Sequence, residues 1–239
     1  MRVGLTRTGR LARVRPKTLD HIALWVADRD RIADFLTQRL GMHVIERTDR
    51  FTLIGWDALR GKLTLFVEQG PREQGALKQV ALRVSDLAGA LSELSDLDVD
   101  RDDGAAYFDV AEGLRLGLVE SEPDAEHDID HVALFSATPE ETARQYGALG
   151  FAPAGRRRVE VGGAWVEFHD GDPGDPERPL LNHLAVLVES ADEHLEEARQ
   201  RGIEVADVVD APNTRAVFLW GPEHVKIEYV EHKPTFALK

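Results

Sequence analysis

Apolar and polar positions along the chain settle into one short phrase that recurs at four places. These are DHIALWV from Asp20, KQVALRV from Lys78, DHVALFS from Asp130 and NHLAVLV from Asn182, at spacings of 58, 52 and 52 residues. Each phrase alternates with the two-residue period of a strand, so that in the third copy His131, Ala133 and Phe135 share one face while Val132 and Leu134 share the other. A helix is predicted after each strand. In the third copy Thr138, Pro139 and Glu141 read as a capping box with proline at the first helical position, and Gly150 as the stop. Ser190, Glu193 and Gly202 repeat that arrangement in the fourth copy, while in the first Ile32, Phe35, Leu36 and Leu40 form one helical stripe before Gly41. The second helix, near Leu87 to Leu94, is shorter. Runs such as MHVIERT, FTLIGW and KLTLFVE, or IEVADVV, RAVFLW and VKIEYVE, then read as three further strands per copy.

Each unit is therefore strand, helix and three strands. A unit of about 50 residues can hardly bury both faces of a small sheet alone, so the units are expected to pair. The predicted fold class is α+β, with four tandem βαβββ modules paired into two domains. The expected boundaries are an N-terminal arm over 1–18 and an N-terminal domain over 19–122, with modules 19–70 and 76–122. A linker over 123–128, in the acidic segment SEPDAEHD, leads to a C-terminal domain over 129–232, with modules 129–172 and 180–232, and a tail over 233–239.

Composition narrows the chemistry. The chain has 239 residues, 43% hydrophobic and 30% charged, which is the balance of a soluble globular protein. A formal charge of −14 repels phosphate backbones and anionic headgroups, so neither nucleic acid nor a membrane surface is an expected partner. There is no cysteine, which removes disulfides and thiolates and leaves His, Asp and Glu to hold any metal. The basic opening stretch has no apolar run long enough for a signal peptide or a membrane span, so a cytoplasmic location is expected. That stretch reads either as a loose arm or as one that packs on a partner subunit.

Four βαβββ modules, with His one residue inside the first strand and Glu in the last, resemble the vicinal oxygen chelate superfamily, which includes glyoxalase I, bleomycin-resistance proteins and extradiol dioxygenases. The resemblance covers about residues 19–232 and implies curved, cup-like mixed sheets with ligands from first and last strands. VFLWGPEHVKIEYVE resembles the family's closing hairpin and puts Glu228 at its carboxylate position. LLNHLAVLV puts His183, and IDHVALF puts His131, at histidine positions. The implied metal ligands are His131, His183 and Glu228, a set that leaves about three adjacent positions open on an octahedral metal. In the N-terminal pair the same positions read His21, Gln79, Gly117 and Thr64 or Leu65, so that half is expected to carry no metal, with His21 a relic or a packing residue.

AWVEFHDG places Trp165, Glu167 and His169 on one strand face. His169 resembles the acid or base that stands beside the metal in extradiol dioxygenases, and Glu167 is a candidate fourth ligand, as in glyoxalase-type sites. Trp165, Phe218, Trp220 and His224 are the expected pocket residues, although Phe218 stands where many extradiol dioxygenases carry a tyrosine. The resemblance implies an Fe(II)-dependent extradiol-type ring-cleaving dioxygenase acting on a small catecholic or vicinal-oxygen substrate with dioxygen. Two alternatives stay open: a glyoxalase- or epimerase-like lyase or isomerase using Zn, Mn, Ni or Co, and a binding protein of the bleomycin-resistance type without chemistry. A homodimer is expected from family habit alone.

Overall fold

The structure, a computed structural model, describes residues 15–102 and 104–238. Most of the arm expected over 1–18 lies outside the described residues. The four modules follow one another along the chain. The first comprises β1 (Thr18–Val26), α1 (Arg29–Leu40), β2 (His43–Arg47), β3 (Phe51–Gly55) and β4 (Lys62–Val67). The second comprises β5 (Leu77–Val84), α2 (Leu87–Ser92), β6 (Val99–Asp102), β7 (Ala105–Ala111) and β8 (Leu114–Glu120). The third comprises β9 (Ile129–Ser136), α3 (Pro139–Ala148), β10 (Ala152–Pro153), β11 (Arg158–Val161) and β12 (Ala164–Asp170). The fourth comprises β13 (Leu181–Leu187), α4 (Ala191–Arg201), β14 (Val205–Asp210), β15 (Thr214–Trp220) and β16 (Lys226–His232).

Local chemistry accounts for most boundaries. In α1 the Asp28 carboxylate accepts from the Arg31 N–H at 3.1 Å, and Gly41 closes the helix in the left-handed conformation at φ 66°. Ser190 caps α4 by accepting from the Glu193 N–H, and Gly202 ends it at φ 68°. The capping box expected in α3 does not form: Thr138 makes no side-chain cap. Its N–H donates instead to Ser136 Oγ at 3.0 Å, because Ser136 and Thr142 are drawn into a hydroxyl cluster with Glu223 from the turn between β15 and β16. A contact between sheets has overridden a local signal.

The modules pair, but not as neighbours in the chain. One eight-stranded sheet has the order β14-β15-β16-β13-β1-β4-β3-β2 and so joins modules four and one. The other has the order β10-β11-β12-β9-β5-β8-β7-β6 and joins modules three and two. The division into domains over 19–122 and 129–232 is corrected accordingly, and the segment 123–128 connects β8 to β9 within one sheet through a short 3-10 turn at Pro123–Ala125. The two chain crossings between sheets account for the arrangement. Glu73 and Pro179 form a parallel bridge, with Glu73 N–H to Arg178 O and Leu180 N–H to Glu73 O both at 2.8 Å, so each crossing satisfies the backbone of the other. One continuous buried cluster runs through both sheets. Phe35 of α1 meets Phe108 of β7 at 6.1 Å, and the Tyr229 hydroxyl on β16 donates to Leu149 O beyond α3. The opposite face of the first sheet, carrying Ala185, Ala216, Phe218 and Val230, is left to line a cup.

Candidate metal centre

The site begins with strand register. Antiparallel pairing of β1 with β13 sets His21 opposite Ala185 and His183 opposite Ala23. The fully buried alanine of each repeat is thus the cross-strand neighbour of the other repeat's histidine, and its small side chain leaves room for the two imidazoles to meet. His21 Nε2 and His183 Nε2 lie 3.0 Å apart. β16 pairs Glu228 with Ala185 and brings Glu228 Oε2 to 2.8 Å from His183 Nε2 and 3.2 Å from His21 Nε2. Among the described residues this is the one group of three or more His, Cys, Asp or Glu side chains with its ligand atoms within 4.8 Å of one another.

The other edge of each ring is held as well. His21 Nδ1–H donates to Asp20 Oδ1 at 2.7 Å, and His183 Nδ1–H donates to Asn182 Oδ1 at 2.9 Å, which turns both Nε2 atoms into the cup. Asp20 is itself a hub. Lys62 Nζ and His232 Nε2 each stand 3.0 Å from its carboxylate, and Lys62 also donates to Ala58 O at 2.7 Å. Asp20 and Lys62 are 1% and 2% exposed, so this ion pair is fully inside the protein.

Without a metal, the positive charge that balances Glu228 falls on His21. Burial by itself would lower the pKa of His21, but hydrogen bonds to Asp20 and Glu228 and their charges outweigh it and raise it to about 9. Burial would raise Glu228, yet the charges and hydrogen bonds of His183 and His21 hold it at about 2. Burial dominates at His183 and lowers its pKa, so that ring stays neutral. The donor spacing fits a metal. Donors that are mutually cis on an octahedron with bonds of about 2.1 Å stand about 3.0 Å apart, and the separations here are 3.0, 2.8 and 3.2 Å. The fourth register position, facing Ala23 from β4, holds Thr64 and no carboxylate.

His183 and Glu228 are therefore brought together as expected, but their partner is His21. His131 lies on the second sheet, where its Nε2 faces the Gln79 amide nitrogen at 3.3 Å and its Nδ1–H donates to Asp130, which Arg83 clamps at 2.9 Å. The correction follows from the nested pairing, which puts module one against module four. Glu167 occupies in the second sheet the register place of Glu228, facing Ala133 as Glu228 faces Ala185. It is no fourth ligand to the cluster; it lies beside Arg158 and His169 at 3.6 and 3.7 Å. His169 is on the same strand, with Nδ1 3.1 Å from Lys78 Nζ, away from the cup of the first sheet. The remaining ligand place of the second sheet is Gly117, where a Cβ would stand 2.6 Å from the Tyr107 ring that fills the space.

A cavity of about 520 Å³ opens above the cluster. Phe51, Leu53, Phe66 and Phe218 supply much of its apolar wall, and Phe66 and Phe218 sit edge-on to the His183 ring at 6.2 and 5.2 Å. Of the expected pocket residues only Phe218 lines it. Trp165 lies on the second sheet under the Arg158 guanidinium, Trp220 is 39% exposed beside Lys226, and His224 is exposed in the turn before β16, because that turn reaches back toward α3 rather than over the cup. Asp20, Lys62 and His232 went unnoticed as site residues. The legible sign was the column of Asp20, Asp130 and Asn182 standing before each histidine of the repeat.

Residues 18–106 match the family described as the Glyoxalase/Bleomycin resistance protein/Dioxygenase superfamily. Over that stretch the chain is similar to the superfamily. No curated protein matches it. Among solved structures, a putative dioxygenase from Bacillus subtilis subsp. subtilis str. 168 is 19% identical with a TM-score of 0.75, over 94% of this chain and 88% of its own. Glyoxalase I from Zea mays is 14% identical with a TM-score of 0.69, over 90% and 92%. The cppA protein from Streptococcus pneumoniae TIGR4 is 14% identical with a TM-score of 0.61, over 91% and 99%. These likenesses are of fold. Within that fold, the two sheets of this chain present the same four register places, filled as His21, Thr64, His183 and Glu228 in one and as Gln79, Gly117, His131 and Glu167 in the other.

Proposed function

We propose that the protein is a metal-dependent enzyme whose centre of His21, His183 and Glu228 holds a divalent cation, and that it is an extradiol-type ring-cleaving dioxygenase using Fe(II), dioxygen and a small catecholic substrate. The observation that carries this reading is the donor set: two imidazoles and one carboxylate with mutual spacings of 2.8–3.2 Å and Thr64, not a carboxylate, at the fourth register place. Such a set leaves adjacent coordination positions for two substrate oxygens and a third ligand. A bound cation would supply Lewis acidity there and the electron path between two reactants held side by side.

The protein's own groups do the rest. Asp20 and Asn182 keep the Nδ1 protons in place so that both Nε2 atoms face the cup, and Glu228 supplies the negative charge. Phe51, Phe66 and Phe218 suit a flat, largely apolar ring and keep water from it. The Phe at position 218 offers no hydroxyl, so substrate orientation rests on shape and on the metal rather than on a hydrogen bond from that strand.

Metal titration of the purified protein with Mn(II) by calorimetry is the first test. His21→Ala, His183→Ala and Glu228→Ala are each expected to weaken binding by more than the roughly 10–100-fold typical for loss of an outer-shell partner, whereas His131→Ala leaves it unchanged. A protein that binds no divalent metal sinks the reading. Oxygen uptake by anaerobically Fe(II)-loaded protein is then measured over a panel of catechols. Metal retention without uptake on any of them rejects the dioxygenase and directs attention to Lewis-acid isomerisation, as in the glyoxalase alternative.

A further inference from the structure

Most of the cavity wall is built from strands whose positions are fixed by ladder hydrogen bonds on both sides. One part is not. After β16 the chain runs over 233–238 without helix or strand and brings Phe236 and Leu238 to the cavity wall. Its recorded anchors lead to the turn between β14 and β15: Lys233 N–H to Asn213 O at 2.9 Å, Lys233 Nζ to Ala211 O at 2.6 Å, and Thr235 Oγ1 to Pro212 O at 2.7 Å. Within the segment Pro234, Thr235 and Ala237 are exposed, while the two large apolar side chains, Phe236 and Leu238, are half-buried and line the cavity. Phe236 stacks flat on the His232 ring at 4.0 Å with an interplanar angle of 10°, and Lys62 Nζ lies 5.9 Å from its centroid.

We propose that the segment 233–238 is the specificity-determining wall of the cavity and that Phe236 sets the size of the substituent the substrate can carry. This rests on reading the cavity as the substrate site. The fixed walls on β4 and β15 set Phe66 and Phe218 edge-on to His183 and so face the reacting end of a ligand. Phe236 stacks on His232, which is bonded to Asp20, and Lys62 lies beside it; a ring substituent would project to that side. Among the lining residues outside the strands, Phe236 is the aromatic one, and it can change without disturbing strand register. A pocket wall discriminates between substituents by roughly 10–200-fold per methylene of fit.

The test uses the full chain and two opposite variants, Phe236→Ala and Phe236→Trp. In Mn(II)-loaded protein the affinities for 4-methylcatechol and 4-tert-butylcatechol are measured by calorimetry. The ratio is expected to shift about tenfold toward the bulky ligand in Phe236→Ala and the other way in Phe236→Trp, with Mn(II) affinity unchanged because its ligands stand on β1, β13 and β16. In metal-free protein, fluorescence of 1-anilinonaphthalene-8-sulfonate is expected to rise with Phe236→Ala and fall with Phe236→Trp. The same catechol ratio in all three proteins overturns the proposal. If wild-type protein binds neither Mn(II) nor a catechol, the reading of the site has failed, and the metal-free arm decides alone: equal dye binding in the three proteins then overturns the wall.

Discussion

Asp20 is the residue on which the centre turns, because one carboxylate serves three partners. It orients His21, neutralises the buried Lys62 and receives His232. Asp20→Asn preserves the shape and the acceptor for His21 but leaves the Lys62 ammonium unpaired in the interior. Removing one member of a buried pair costs about 3–5 kcal/mol, and loss of an outer-shell carboxylate costs roughly 10–100-fold in metal affinity. Urea denaturation and Mn(II) titration of the variant check both, and a variant as stable as wild type contradicts this account of Lys62. The same group sets an acid limit. Burial would raise the pKa of Asp20, but Lys62 and the hydrogen bonds of His21 and His232 hold it well below the usual carboxylate range. Asp130 is lowered in the same way, by His131 and Arg83 against its burial. A carboxylate whose folded pKa is depressed contributes stability that is whole above its unfolded value of about 3.9 and is lost as pH falls through and below it. The urea midpoint of the metal-free protein is therefore expected to hold from neutral pH down to about 5 and to drop steeply below about 4; a flat profile across that range would falsify the assignment. His183 and Glu228 were legible at this scale because they hold repeated places in the last module. His21 holds the same place in the first, but modules one and two carry no carboxylate at the matching places, and a repeat marks where a ligand would stand in a module without saying which modules share a cup.

Strands were the most legible elements, since the alternation in DHIALWV and its three copies survives intact in β1, β5, β9 and β13. What alternation leaves open is the local slip. Register shifts fall between Leu19 and His21 and between Ala23 and Leu24, close to His21, and depend on the partner strand. The Thr138 box failed for a related reason, as Glu223 comes from the other sheet. The alanine column, Ala23, Ala81, Ala133 and Ala185, is explained only once the strands are paired, because each alanine makes room for the histidine or glutamine across from it. Gly117 on β8 shows the reverse case. A Cβ there would lie 2.6 and 2.7 Å from Tyr107 ring atoms and 3.1 Å from Ala81 Cβ. Gly117→Ala is expected to lower stability by about 1–3 kcal/mol through overpacking, and Tyr107→Leu in the same chain to recover part of that loss. Denaturant midpoints of the two single variants and the double variant measure the coupling.

At the level of the whole molecule, nested pairing means that neither half of the chain owns a complete sheet. The ligand cluster is nevertheless complete within one chain, so a second copy is not needed to build it. No helix among the described residues is long and apolar enough to cross a membrane. If the chain is cut within 123–128, each half keeps β1 or β13 with an unpaired edge in one sheet, and β5 or β9 with an unpaired edge in the other. Such edges invite association. The separate halves are expected to aggregate or self-associate, and co-refolding is expected to restore a single cooperative transition together with Mn(II) binding. Gel filtration and circular dichroism decide this, and a half that folds alone as a stable monomer refutes the nested reading. Both short connections, 68–76 and 121–128, allow neighbouring modules to pair, so the sequence pattern was equally content with either arrangement; the bridge between Glu73 and Pro179 is visible only in three dimensions.

The same nesting imposes an order in time. Gln79 and His131 are 52 positions apart, whereas His21 and His183 are 162 apart. Closing the longer span from an open chain costs only about 1 kcal/mol more, but on a growing chain it must wait. The second sheet has all its strands once residue 170 has emerged, while β1 to β4 stand with one edge bare until β13 arrives. Glu228 comes later still. The cluster is thus completed late, and a nascent chain interrupted anywhere before that residue carries both of its imidazoles at most, without the carboxylate that completes them.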